Sequence, residues 1–449
     1  MPKPAPKFMV RAIFPAPAFS GDYSEINSMS DHFTRVLSRP EFIALMAALM
    51  AINALAIDVM LPALPYMGEA LGVTSENERQ YVITAYMLGM GIAVLGFGPL
   101  TDRFGRRAPL LVGMGIYIVA AVAAIFAPSF TVLLVLRFIQ GMGAASVRVI
   151  ATAVVRDRYS GREMAEVMSL TFMVFMAIPI IAPGIGQVIL LMGEWHNIFI
   201  FMGLLAAVFW LWTYIRLPET LPVAARRPLS FKAVVDGFLI VFTNRVAFSY
   251  GLAGMFLFGA LFGFISSSQQ IYVDIYGLGV YFPVAFAAMA GLMAVSSFTN
   301  SRIVRRIGMR RLSHGAVLSF AGFSAVWLIL AMVGFLPLWL FFSLLAIIMF
   351  SFGWCSSNMN SLSMEPLGAV AGTAASVFGF VQTVGGAVLG SYVGQQFDGT
   401  TVPAALGYLG FGALALVCIL VAEKGRLFGL GEQYARASSE TVAVADAGH

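Results

Sequence analysis

Three charged side chains interrupt long apolar stretches of the sequence: Asp58, Arg137 and Arg148. A carboxyl group in apolar surroundings can bind and release a proton, because burial disfavours its charged form and a nearby guanidinium favours it. Asp58 is therefore a candidate proton site, and Arg137 is the candidate group that adjusts its proton affinity. A fixed structural ion pair between the two is the alternative.

The composition indicates the surroundings of these residues. Of 449 residues, 59% are hydrophobic and only 11% are charged, whereas soluble domains carry about 25% charged residues. Roughly 20 mostly apolar residues cross a bilayer as a helix, and runs of that length recur along the chain. The sequence thus predicts an all-α membrane protein, and its net charge of +5 does not indicate a nucleic-acid partner.

Twelve apolar spans are predicted, and the gaps between them alternate in charge. Basic residues cluster in alternate gaps, apart from the gap around Glu365, and in both tails. This pattern marks the cytoplasmic side of a membrane protein, so both termini are expected in the cytoplasm. The predicted spans cover residues 41–68, 80–100, 107–127, 130–154, 165–192, 196–216, 245–272, 281–301, 312–334, 337–359, 367–396 and 403–422.

The longest gap divides the spans six and six. The halves share a pattern, because DRFGRR follows the second span and RRIGMRR follows the eighth, which places Gly105 opposite Gly308. Two repeated halves are a common architecture for carriers. The predicted organisation is a cytoplasmic tail, a six-helix bundle, a cytoplasmic linker, a second six-helix bundle and a cytoplasmic tail, at residues 1–40, 41–216, 217–244, 245–422 and 423–449.

Counting along the predicted helices places Asp58 and Arg137 at a similar depth. Asp58 lies about 17 residues into the first span, and Arg137 lies about eight residues into the fourth, which runs the opposite way. We expect them to face each other in the outer half of the membrane. A charge at that depth costs at least about 2.5–3.5 kcal/mol on insertion scales, so a function is the default expectation. Histidines, including His314, are expected outside the membrane.

The gap between the second and third spans reads GPLTDRFGRRAPLLVG. A glycine allows a neighbouring helix to approach closely, and it tolerates a positive φ in a tight turn. Asp102 can accept hydrogen bonds from Arg106 or from a helix N-terminus in the other half, which would hold the cytoplasmic side shut. Positive-inside anchoring is the alternative. The residues of this predicted gating loop are Gly98, Asp102, Arg103, Gly105, Arg106 and Arg107.

This loop resembles the signature loop of the major facilitator superfamily, G-x-L-x-D-R-x-G-R-R. Three further stretches resemble its drug exporters. RFIQGMG, from Arg137, is similar to their R-x-x-Q-G-x-G motif, and IDVMLPALP, which contains Asp58, is close to a segment of the Bcr/CflA drug:proton antiporters. The stretch AIPIIAPGIGQ is similar to a reduced antiporter motif, a helix bend that keeps Pro183, Gly184 and Gly186.

The resemblance implies the major facilitator fold, with twelve transmembrane helices in two pseudo-symmetric six-helix bundles. It implies that Asp58 takes the proton, that Arg137 tunes it, and that Asp102 contacts the opposite half near the eleventh helix. Arg148, close to three turns after Arg137, is expected to bind an anionic or carbonyl group or to pair with Asp157 or Glu163. The predicted substrate cavity comprises Asn53, Tyr86, Gln140, Arg148, Gln187, Phe264, Gln269, Asn358 and Gln382; lone Asn and Gln residues could equally join helices.

The expected function is proton-coupled export of small lipophilic or amphipathic drugs or metabolites across a bacterial inner membrane. The proton gradient would supply the energy, and no cofactor, metal or enzyme activity is expected, because no Walker loop, zinc spacing or Ser/His/Asp set is present in the sequence. The chain is expected to be a monomer. Two alternatives stay open: a facilitator or proton symporter for a specific metabolite on the same fold, and a non-transporting receptor or scaffold, in which Asp58→Asn would be silent.

Overall fold

The computed structural model describes residues 37–226 and 231–429 of the chain, and the described elements are all helical. Twelve of them, numbered here spans 1 to 12, are long and apolar enough to cross a membrane. Their bounds are Arg39–Ala70, Glu76–Phe104, Arg107–Ile125, Phe130–Arg158, Glu166–Met192, His196–Arg216, Arg245–Ile275, Gly279–Ile307, Met309–Val333, Leu338–Leu367, Thr373–Gln395 and Val402–Ala422.

The prediction of twelve spans is confirmed, and most boundaries agree within a few residues. Helices such as Phe130–Arg158 are longer than the ~20 residues needed to cross the hydrocarbon, so their ends extend into the interfaces. One further helix, Phe231–Thr243, lies in the linker. It falls within the segment 217–244 that was predicted as the linker, and its Phe238 ring contacts Phe380 of span 11.

Span 1 is interrupted beside Asp58. The helix Arg39–Asp58 ends there, the short 3-10 turn Leu61–Ala63 follows, and the helix resumes as Leu64–Ala70. Proline has no backbone N–H, so Pro62 cannot donate to the carbonyl of Asp58, and a tighter turn replaces the regular helix. The break fixes the position of the candidate proton site within the membrane span.

Spans 1 to 6 pack mainly against one another, and so do spans 7 to 12. The two sets meet where span 2 packs on span 11 and span 5 packs on span 8. Glycines let spans 2 and 4 approach closely: a Cβ on Gly141 would collide with the carbonyl of Tyr86, and one on Gly89 with that of Phe138. We call the end of the molecule that carries the linker the linker end, and the opposite end the far end. The predicted tail at 1–40 falls almost wholly outside the described residues.

Candidate functional site

Asp58 is buried at the break in span 1, with 4% of its surface exposed. In the described ranges 37–226 and 231–429, its carboxylate has no hydrogen bond or ion pair. Gly186 of span 5 packs directly against the carbonyl of Val59, so the motif glycine of span 5 allows that helix to cover the break. A charged carboxylate is costly in such a position unless it finds a partner or a proton.

Arg137 is completely buried at the same level of the first half. Its guanidinium donates to the carbonyl of Ala56 at 2.8 Å and to the side chain of Gln140 at 2.6 Å. It also lies 4.5 Å from the centre of the Tyr86 ring. Arg137 therefore contacts span 1 two residues before Asp58. Its hydrogen bond goes to the backbone carbonyl of Ala56 and not to the Asp58 carboxylate. The fixed ion pair is not formed.

The glycines of the span 4 motif explain how Arg137 reaches this position. Gly141 lies against the Tyr86 carbonyl of span 2, and Gly143 lies against span 3 at Gly113. A side chain at either position would push span 4 away from its neighbours. Tyr86 in turn donates to Asn53 of span 1 at 3.3 Å. Spans 1, 2 and 4 are thus joined by one connected set of buried polar side chains.

Arg148 has different surroundings, because its side chain is exposed. It donates to the hydroxyl of Thr383 in span 11 at 3.3 Å, across the boundary between the halves. Thr383 belongs to a π-helical turn, Val381–Gly385. The alternative partners expected from the sequence are not used: Asp157 accepts from Arg106 instead, and Glu163 forms no ion pair with Arg148.

The other predicted cavity residues are dispersed. Gln187 is half-buried in span 5, and Gln269 and Gln382 are buried in the second half. Asn358 exchanges hydrogen bonds with Asn300, which joins spans 10 and 8. Phe264 stacks on Phe286 with ring centres 5.1 Å apart. Both side chains take part in helix packing inside the second half, and their place in the substrate cavity stays a prediction. Pro183 is buried and Gly184 half-buried in the same span as Gly186.

The predicted gating loop forms a compact ionic group at the linker end. Arg106 donates to Asp102 at 2.7 Å and to Asp157 of span 4 at 2.9 Å. Burial lowers the pKa of Arg106, but its hydrogen bonds to Asp157 and Asp102 outweigh this effect and raise the pKa above its ordinary value. Asp102 thus has its partner in its own loop. A Cβ on Gly98 would touch Ser376 of span 11 at 3.4 Å, so this glycine does face the other half.

Sequence reasoning missed Glu219, which completes this group. Its carboxylate accepts from the backbone N–H of Arg106 at 2.7 Å and of Arg107 at 3.2 Å, where span 3 begins. An acid at a helix N-terminus satisfies unpaired N–H groups and the positive end of the helix dipole. Gly105 has a φ of 89°, which brings Glu219 against its Cα. Arg103 and Arg107 contact aromatic rings at the surface.

The second half contains a matching group. Gly308 has a φ of 88°, and Arg310, in the first turn of span 9, donates to Glu365 at 2.8 Å and to Glu423 at 2.9 Å. The internal repeat noticed in the sequence therefore corresponds to two similar turns. His314, expected in a gap between spans, lies instead in the helix of span 9, where it is completely buried and contacts Tyr250.

A cluster of amides joins the halves at the far end, and it was also missed. Asn77 donates to the backbone carbonyls of Gln395 and Phe397 at 3.0 and 2.9 Å, and it accepts from Gln270 at 2.8 Å. Gln80 donates to Gln270 and to the Gly394 carbonyl. We call Asn77, Gln80, Gln270 and Gln395 the far-end amide cluster. It closes the far end of the boundary between the halves.

Twelve membrane-length helices in two packed sets, with ionisable residues inside the spans, are the architecture of a membrane carrier. Comparison with known families gives a match to the Major Facilitator Superfamily over residues 46–390. The chain belongs to this superfamily of transporters and is not an enzyme.

The chain is similar to the bicyclomycin resistance protein homolog of Haemophilus influenzae, with 31% identity over 81% of this chain and 91% of that protein. It is also similar to multidrug resistance protein D of Escherichia coli, with 29% identity over 84% of this chain and 92% of that protein. Among solved structures, a bacterial homolog of the human lysosomal transporter Spinster, crystallised in an inward-facing conformation, shares the fold. Its TM-score is 0.62 at 13% identity, over 87% of this chain and 96% of that one.

Proposed function

We propose that this chain exports small lipophilic or amphipathic drugs or metabolites across the bacterial inner membrane in exchange for protons. The observation that carries the proposal is Asp58, a buried carboxylate at a helix break inside a membrane span, with no ionic partner among the described residues. Protonation of this carboxylate changes the net charge of the first half. The names of the relatives, which refer to resistance against bicyclomycin and multiple drugs, support drugs as substrates.

The distribution of basic residues supports a cytoplasmic linker end. Arginines concentrate there in the loops after spans 2 and 8, and bases are retained on the cytoplasmic side. Both termini are then cytoplasmic, and the far-end amide cluster closes the periplasmic side. In this state the substrate path would open to the cytoplasm, as an exporter requires for loading.

Alternating access follows from the two halves, which we assign to residues 41–216 and 245–422. Separation of the far-end amide cluster would open the path outward, where a proton reaches Asp58 and substrate leaves. Protonation removes the cost of the unpaired carboxylate and favours return to the state described here. The chain would work as a monomer, with the proton gradient as its energy source and no cofactor.

The test is drug accumulation in bacteria that lack their own pumps, with wild type and Asp58→Asn at equal membrane levels. Asparagine cannot exchange a proton, so we expect export to fall at least about tenfold. Asp398→Asn, which changes an exposed loop carboxylate at the far end, is the matched control and should export normally.

Equal export by Asp58→Asn and wild type would contradict proton exchange at Asp58. Export that survives collapse of the proton gradient would favour a facilitator, and accumulation that never differs from cells without the protein would favour a receptor or scaffold. The proposal is supported if export is lost in the Asp58→Asn variant and also in wild type after the proton gradient is collapsed.

A further inference from the structure

The charged residues deep in the membrane do not balance. Away from the ends of the described spans, the charged side chains are Asp58, Arg137 and Arg148. The set has an excess of positive charge, and protonation of Asp58 increases it. Arg137 is compensated by carbonyl and amide oxygens. The unbalanced charge therefore resides on Arg148.

Arg148 has no carboxylate partner among the described residues, and the hydroxyl of Thr383 is its hydrogen-bond acceptor there. Its side chain is exposed, although it lies in the middle of span 4 and reaches span 11 of the other half. A guanidinium carries five N–H donors in a planar fork that matches a carboxylate or phosphate. Apart from the bond to Thr383, those donors have no acceptor among the described residues.

The surroundings of Thr383 indicate a built site. Thr383 lies in the π-helical turn Val381–Gly385, and such turns are frequent at functional sites. Its methyl group packs near Gly91 of span 2, so the hydroxyl is held where Arg148 can reach it. Arg148 lies eleven residues after Arg137, or about 16 Å along the helix, which separates this position from the proton site.

We propose that Arg148, with Thr383 beside it, is an anion subsite, and that the exported substrates include amphipathic molecules with a carboxylate or similar anionic group. This inference rests on the proposed function, which supplies the substrate path. An anionic guest neutralises the excess charge and replaces the weak hydrogen bond to Thr383 with charge-assisted bonds. A cationic guest at this position meets the guanidinium without a carboxylate to offset it.

The test is direct binding to the purified full chain in lipid nanodiscs. The probes are dansylglycine and dansylglycinamide, two fluorescent lipophilic molecules that differ in one carboxylate. Charge-assisted hydrogen bonds are worth enough that we expect wild type to bind the acid about tenfold more tightly than the amide. Arg148→Gln should lose this preference and keep its affinity for the amide. Arg148→Lys should retain part of it, because the charge stays but the fork is lost.

Arg302→Gln is the matched control, since Arg302 is an exposed arginine at the linker end of span 8 that stacks on Phe298. It should bind both probes as wild type does. The proposal is overturned if Arg148→Gln keeps the preference for the acid, if it weakens both probes equally, or if wild type binds neither or both alike. The proposed function is tested by a different measurement. If Asp58→Asn exported as well as wild type, the proposed function would be contradicted, even if wild type still bound the acid more tightly than the amide.

Discussion

The two ionic groups at the linker end have a similar backbone conformation but differ in where their carboxylates come from. Each follows a glycine with φ near 88–89°, and each centres on an arginine one or two residues after that glycine, Arg106 or Arg310, that bonds to two carboxylates. In the first half, one of the two carboxylates is Asp102 of the loop itself. The position that corresponds to Asp102 in the second half is Arg305, and both partners of Arg310 come from the ends of other spans.

The exposure of the carboxylates differs between the two groups, and it shows which group can exchange its ionic partner. The Asp102 side chain is 46% exposed, and Gly98, one helical turn before it, faces Ser376 of span 11. In the second half, Glu423 is 11% exposed and also accepts from Tyr250, which contacts the buried His314. A backbone N–H from the C-terminal segment, at Phe428, bonds to the same histidine. We infer that the first group can act as a latch between states and that the second is a static anchor.

Removal of the central arginines has the largest expected effect. Arg106→Ala leaves Asp157 without its ionic partner, and Arg310→Ala does the same to Glu365 and Glu423. Loss of a hydrogen-bonded ionic partner costs about 1.5–3 kcal/mol or more. We expect both variants to lose several degrees in thermal unfolding of the purified protein. Arg302→Ala should melt like wild type, and unchanged melting of either central variant would refute the assigned role.

Substitutions of the two turn glycines, Gly105 and Gly308, test the difference between the two ionic groups. Both have φ and ψ values that other residues rarely adopt, so alanine at either position costs about 1–3 kcal/mol in strain. At Gly105 a methyl group would also collide with the carboxylate of Glu219, whereas open space surrounds the same point at Gly308. Gly105→Ala should therefore lower the melting temperature more than Gly308→Ala. Equal losses would mean that contact with Glu219 contributes nothing.

Local sequence patterns predict the spans well, because long apolar runs and alternating charges carry the information. The repeat of Gly105 and Gly308 was also visible, since a short motif recurs at the same point of each half. Counting along the helices also placed Arg137 at the level of span 1 where Asp58 lies. The actual acceptor, the Ala56 carbonyl, could not be predicted, because it depends on the Pro62 break and on close glycine contacts.

The partners that were missed come from distant parts of the chain. Glu219 and Asp157 look like ordinary loop and interface acids until folding brings them to Arg106. The far-end amide cluster unites residues more than 190 positions apart, such as Asn77 and Gln270, and neutral amides give no charge signal. His314 was misplaced because its burial depends on contacts with Tyr250 and the C-terminal segment.

The smallest effect on stability, and the sharpest test of the latch, is expected from Asp102→Asn. Asparagine can still accept a hydrogen bond from Arg106, and the position is nearly half exposed, so stability should change by less than about 0.5 kcal/mol. Transport should nevertheless slow severalfold, because a neutral side chain binds a helix N-terminus of the other half more weakly than a carboxylate does when the halves move. Glu423→Gln is the paired control in the static group. It should lower the melting temperature, since Glu423 is mostly buried between Arg310 and Tyr250, while the protein that remains folded transports at the wild-type rate. If both substitutions alter melting and transport alike, the two groups are equivalent and the first has no separate latch function.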